Sequence, residues 1–161
     1  KVEDSKLIWK GHKLGTSHQG NIAIKSGSLI FNKKTLTGGD ITINMTSITS
    51  TDLTGGAKKK LEGHLKSNDF FGVQKFPTAT IKFTEVKSKG NNSYKVTGNI
   101  TIKGKTNPIT FNLSVTGNKA HTTLKIDRTK FDVKYGSNSF FDGLKDKAIY
   151  DEFDLIVDLE F

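Results

Sequence analysis

A chain of 161 residues has the length of one domain with room for a real core. The absence of cysteine excludes disulfides, thiol catalysis and zinc–thiolate sites. The formal charge of +9 comes from lysines spread along the chain beside a single arginine, Arg128. Base reading in nucleic acid leans on arginines and on clustered charge, so the pattern argues first for a solvated surface, second for weak attraction to anionic membranes and last for nucleic acid.

Hydrophobic residues make up 34% of the chain, with 16 glycines and 2 prolines, which suits a fold that buries one face of each strand. No run reaches the roughly 18 apolar residues of a helical membrane span. The chain begins at Lys1 without a charged-then-apolar leader, which reads as a processed or trimmed start. Leu7-Ile8-Trp9 opens the ordered part. Ile22 and Ile24 then alternate with polar neighbours, and Ser26-Gly27-Ser28 predicts a turn into Leu29 and Phe31. After Gly38-Gly39, the residues Ile41, Ile43 and Met45 alternate with Asp40, Thr42 and Asn44 as a two-faced strand that leads to Ile48.

From Leu61 to Pro77 the period changes. Ala57, Leu61 and Leu65 recur every fourth residue, which predicts a short helix beginning near Ala57 with one apolar stripe. Ser67-Asn68-Asp69 supplies turn chemistry, and Phe70, Phe71 and Phe76 follow closely. Such a segment must lie against apolar surface, and we expect it to close one end of a barrel.

Alternation returns with Ile81 and Phe83. After the turn at Lys89-Gly90-Asn91-Asn92 come Tyr94, Val96, Ile100 and Ile102, and after Gly104 to Pro108 come Ile109, Phe111, Leu113 and Val115. Leu124 and Ile126 predict a strand continuing past Arg128 to Phe131 and Val133. A loop from Tyr135 to Lys147 carries Phe140, Phe141 and Leu144. The last segment places Phe153, Leu155, Val157, Leu159 and Phe161 on one face. About eight antiparallel strands with one apolar face each fit either a sandwich or a closed barrel, and the pattern alone does not choose.

Catalytic and metal signatures are missing. His12, His18, His64 and His121 lack metal-binding spacing. Gly98 lies one residue too far from Gly104-Lys105-Thr106 for a phosphate loop. His64, beside the helix stripe, reads as a packed ring or as a contact to a ligand head group. Arg128 reads as one half of a structural ion pair, with Asp151 or Glu152 as its partner. Eleven phenylalanines against one tryptophan and three tyrosines make a strongly apolar aromatic set. Phe31, Phe83, Phe111 and Phe153 read as core. Phe70, Phe71, Phe140 and Phe141, between strands, fit a lid or mouth equally well.

Several stretches are distinctive together: Gly63-His64-Leu65-Lys66-Ser67-Asn68-Asp69-Phe70-Phe71, Lys75 to Phe83, Val96 to Ile109, Ile126-Asp127-Arg128-Thr129-Lys130-Phe131, and Asp151-Glu152-Phe153-Asp154-Leu155. In order and spacing they resemble the YceI family of bacterial lipid-binding proteins over nearly the whole chain. The resemblance implies one domain over residues 1–161. Its expected form is an all-β, extended, lipocalin-like barrel of eight antiparallel strands, with one or two short helices near the barrel ends. It also implies a ligand with a long apolar chain: an isoprenoid quinone, a polyprenyl lipid or a fatty-acid derivative. Export to the periplasm is typical of such relatives, and some form dimers. No catalytic residue carries over, and no cofactor is implied.

Joined to the alternation, the resemblance assigns Ile22, Ile24, Leu29, Phe31, Ile41, Ile43, Met45, Ile81, Phe83, Ile100, Ile102, Phe111, Leu113, Leu124 and Ile126 to the lining of a lipid tunnel. Leu65, Phe70, Phe71, Phe140 and Phe141 are expected at its mouth, with His64 near the head group. Lipid binding without catalysis is therefore expected. The rivals are a filled barrel serving as a stress-response or interaction module, and an enzyme acting on a lipid held in the tunnel.

Overall fold

Alternating polarity can be satisfied only if neighbouring strands turn the same face inward, and here they do so around a full circle. The computed structural model describes residues 2–13, 15–137 and 148–161. Its strands are β1 (Lys6–Lys13), β2 (Thr16–Asn32), β3 (Thr35–Ser50), β4 (Thr78–Gly90), β5 (Ser93–Ile102), β6 (Lys105–Thr116), β7 (Lys119–Asp127) and β8 (Glu152–Glu160). Each pairs antiparallel with the next, and β8 returns to β1 with Lys6–Lys10 opposite Asp158–Asp154. That last pairing closes the barrel and decides against a sandwich. The expected Phe140 and Phe141, with Leu144, lie outside the described residues.

Two sequence expectations are corrected. No turn interrupts β2 at Ser26-Gly27-Ser28. The strand runs through with a shift of register between Ile24 and Ser26, and Gly27 passes so close to β3 that a Cβ there would sit 2.8 Å from the Asp40 carbonyl. The bulge changes which parity points inward, so Ile22 and Ile24 face the interior from even positions and Leu29 and Phe31 from odd ones. The strand expected to continue past Arg128 instead stops at Asp127. The Asp127 carboxylate accepts from the Thr129 amide at 3.0 Å and starts a 3-10 turn, Arg128–Phe131.

The one α-helix among the described residues, α1, spans Gly55–Lys66, two residues earlier than the stripe implied. Leu65 is buried, Leu61 half-buried and Ala57 exposed, so only the C-terminal part of the stripe meets the barrel. Glu62 anchors it by accepting from the Ser50 amide at the end of β3, 2.9 Å away. No helix among the described residues is long and apolar enough to cross a membrane.

Packing divides the barrel in two. Away from α1, Leu36, Val96 and Leu113 are fully buried, and Phe83 meets Phe111 edge to face at 5.7 Å. The Tyr94 hydroxyl there accepts from the Leu36 amide at 3.3 Å, which satisfies a buried polar pair. Beneath α1 the interior is hollow.

Candidate functional site

The hollow is a cavity of about 370 Å³ between α1 and the strand ends beneath it. Its apolar wall is built strand by strand: Trp9 from β1, Ile22 from β2, Ile43, Met45 and Ile48 from β3, Ala79 from β4, Ile100 and Ile102 from β5, Ile126 from β7, and Phe153 and Leu155 from β8. Leu61, Leu65, Phe70 and Phe71 roof it from α1 and the loop after it. Ala79 and Gly11 contribute little bulk, which helps to leave space that larger side chains fill elsewhere in the barrel.

One close crossing sets the shape of this wall. Trp9 donates through Nε1 to the Thr49 carbonyl at 2.9 Å, passing over Gly20 of β2. A Cβ at Gly20 would lie 1.6 Å from that same carbonyl oxygen and 2.7 Å from Nε1. Only glycine at this position lets the indole reach across to the Thr49 carbonyl.

Polar groups gather where the cavity reaches solvent. His12, Lys13, His18, His64, Arg128, Tyr135 and Tyr150 all line it, and the three histidine side chains are about one-third exposed, at 28%, 35% and 33%. Each histidine is held by an aspartate. His12 Nε2 bonds Asp154 at 2.9 Å, His18 Nδ1 bonds Asp52 at 2.8 Å, and His64 Nε2 bonds Asp69 at 3.2 Å. Asp52 also accepts from the buried Ser50 hydroxyl at 2.8 Å. Burial pushes the Asp52 carboxyl up, but its bonds to His18, Ser50 and the Gln19 main chain outweigh this and hold it below the usual carboxylate range. At Asp154 burial likewise raises the carboxyl, but the bonds and charges of His12 and Lys125 outweigh this and hold it below the usual carboxylate range.

An aromatic chain spans the mouth. His64 meets Tyr135 edge-on at 4.5 Å and Phe70 at 4.8 Å; Phe70 touches Phe71, which meets Phe153 of β8 at 6.2 Å. Beneath it lies the Arg128 guanidinium, 3% exposed and 5.9 Å from the Phe70 ring centre. Its expected carboxylate contact is replaced by three carbonyls, Tyr150 at 3.1 Å and Val133 and Ile149 at 3.0 Å each. These bonds staple the segment before β8 onto the 3-10 turn. Burial lowers the guanidinium pKa, while Asp151 and Asp127, acting as charges at longer range, oppose the shift.

Of the sequence-derived lining residues, the structure brings Ile22, Ile43, Met45, Leu65, Phe70, Phe71, Ile100, Ile102 and Ile126 together around the cavity, with His64 at its mouth. Ile24, Leu29, Phe31, Ile41, Ile81, Phe83, Phe111, Leu113 and Leu124 face inward but lie in the packed part of the barrel. Ile24, Leu29 and Ile41 border a separate space of only about 60 Å³ at the opposite end. Sequence reasoning did not assign Trp9, Ile48, Ala79, Phe153 and Leu155 to the lining, although Trp9 shares the inward parity of Leu7, which is 1% exposed. Nor did it foresee His12, Lys13, His18 and Arg128 converging, because they come from segments far apart in sequence.

Known proteins of similar sequence and shape fit this geometry. A UPF0312 protein of Pseudomonas aeruginosa is 39% identical over 93 residues, covering 56% of this chain and 45% of that protein. A UPF0312 protein of Vibrio parahaemolyticus is 32% identical over 122 residues, covering 72% of this chain and 62% of that protein. The chain thus spans about half the length of several curated relatives it matches. Among solved structures, Burkholderia cenocepacia BcnA superposes with a TM-score of 0.80 at 22% identity, over 98% of this chain and 96% of that one. A polyisoprenoid binding domain from Saccharophagus degradans implicated in plant cell wall breakdown superposes with a TM-score of 0.66 at 12% identity, over 99% and 95%. At these identities the structural likeness is one of fold. The YceI-like domain family itself matches residues 2–161, and the chain belongs to that family.

Proposed function

We propose that the protein binds an isoprenoid or similar amphiphilic lipid without transforming it, and so carries or stores that lipid. One observation carries the reading: a closed barrel keeps an apolar cavity of about 370 Å³ open in one half and leaves only about 60 Å³ at the opposite end. Ligand pockets run from about 300 to 1,000 Å³, so this one is of useful but modest size. At the roughly 30 Å³ that one water-sized group occupies in a liquid, it takes about a dozen heavy atoms of chain. Burying each methylene is worth about 0.8 kcal/mol, so a tail of ten carbons supplies about 8 kcal/mol, from which the costs of ordering the ligand are subtracted. A longer chain must move side chains in the packed half or leave through the mouth. Family membership and the polyisoprenoid-binding domain of Saccharophagus degradans support a lipid ligand in general. An isoprenoid quinone, a polyprenyl lipid and a fatty-acid-like molecule all have a suitable tail.

The same proposal includes an exported, periplasmic setting, which cell fractionation tests. It also includes weak contact of the lysine-rich exterior with anionic membranes and association as a homodimer, which vesicle pelleting and sedimentation test in turn.

Blocking the cavity tests the central reading. Ile43 and Ile102 both line it and are 3% and 6% exposed, whereas Lys82 points outward from β4. Ile43→Trp or Ile102→Trp should weaken binding of a long-chain probe by about tenfold or more, with Lys82→Ala unchanged. Equal binding by all three variants would contradict the assignment.

A further inference from the structure

Among the described residues, the permanent charges that line the cavity, Lys13 and Arg128, have one sign. Among the described residues that line it, the ionisable groups other than tyrosine are His12, Lys13, His18, His64 and Arg128, and no aspartate or glutamate lines it. The carboxylates stand behind the imidazoles. Asp154, Asp52 and Asp69 each bond one ring nitrogen of His12, His18 and His64, which leaves the second nitrogen of each ring for a ligand. Arg128 keeps its charge at every working pH and is held immobile by three carbonyls in the cavity wall. Lys13 is half-buried at the end of β1, on the same rim.

We propose that this rim receives a negatively charged head group, a carboxylate or a phosphate, so that the preferred ligand is an anionic amphiphile. The proposal rests on the lipid-binding reading and narrows it. A tail entering the cavity carries its head onto the rim and strips water from Lys13 and Arg128. A neutral head leaves them desolvated without compensation, at a cost. An anion relieves their mutual repulsion and accepts charge-assisted hydrogen bonds, about twice as strong as neutral ones. A cationic head is repelled by Lys13 and Arg128. Lysine and arginine have no acceptor to offer, so a head group made only of donors gains nothing from them.

Trp9, the one tryptophan of the chain, lines the cavity, and its fluorescence reports tail entry whatever the head group. The protein is titrated near neutral pH and at low salt with decanoate, decyl phosphate and methyl decanoate, which share a tail of similar length. The anions should bind about tenfold or more tightly than the ester. The margin, read as the ratio of ester to anion Kd, should shrink in high salt and in the partly exposed variant Lys13→Gln. A preference confined to decanoate points to a fatty acid, and one confined to decyl phosphate points to a phosphorylated lipid; either upholds the anionic head. An ester that binds the wild-type protein as tightly as both anions overturns the head-group proposal and leaves the tail reading standing. Failure of all three to perturb Trp9 overturns both.

Discussion

At the scale of single residues, the site depends on side chains whose role is geometric. Gly20 carries no function of its own, yet a methyl group there would collide with the Thr49 carbonyl and the Trp9 indole, with backbone on one side. Gly20→Ala should therefore cost about 3 kcal/mol or more of stability, read by chemical denaturation. A cost below about 1 kcal/mol would mean that β2 and β3 do not cross so closely. Asp154 makes a different prediction. A carboxyl that ionises more readily in the fold than in the unfolded chain contributes its stability in full above about pH 4, the unfolded aspartate value. That contribution is lost as pH falls through the lower folded value. Its bonds to His12 at 2.9 Å and Lys125 at 3.3 Å cause the depression. Asp154→Asn should flatten the loss of thermal stability between about pH 5 and pH 2, a profile that melting curves record. An unchanged acid limb would show that the carboxylate is not bonded as described. Arg128 was legible as a buried cation needing partners. Its actual partners, three main-chain carbonyls, were not, because they belong to segments whose paths only the fold determines.

At the scale of elements, the strands were mostly legible, since a two-residue period with one buried face leaves little freedom. The bulges were not. A shift between Ile24 and Ser26 turns an apparent Ser-Gly-Ser turn into continuous strand, and it is visible only in the pairing with β3. The 3-10 turn after Asp127 had a local signal, an aspartate two residues before a threonine amide, and a change of parity between Ile126 and Phe131, but apolar residues on both sides read as one continuing strand. For α1 the stripe was visible, but not that only Leu61 and Leu65 would meet the cavity. The helix is tied to β3 through the bond from the Ser50 amide to Glu62. Glu62→Ala leaves that amide unpaired, with an expected cost of about 1–2 kcal/mol. It should speed hydrogen exchange in α1 and spare β5, and uniform exchange across both elements would deny the helix this anchor.

At the scale of the whole molecule, closure gives a barrel without sheet edges, and the distribution of bulk inside it decides whether it can bind. Inward parity identified many interior residues and missed others, Leu36 and Ala79 among them, and it cannot say which of them meet a neighbour and which meet empty space. Tyr94, Phe83 and Phe111 fill one half; Ala79 and Gly11, under the roof of α1, leave the other open. That asymmetry makes the molecule a cup for the end of a chain, in place of the through-running tunnel the alternation suggested. Native mass spectrometry of the protein purified from its own host, before and after extraction with organic solvent, tests this most directly. The expected result is one bound lipid per chain, lost on extraction and regained when the extract is returned. A bare protein mass in all three states would contradict a lipid-binding cavity.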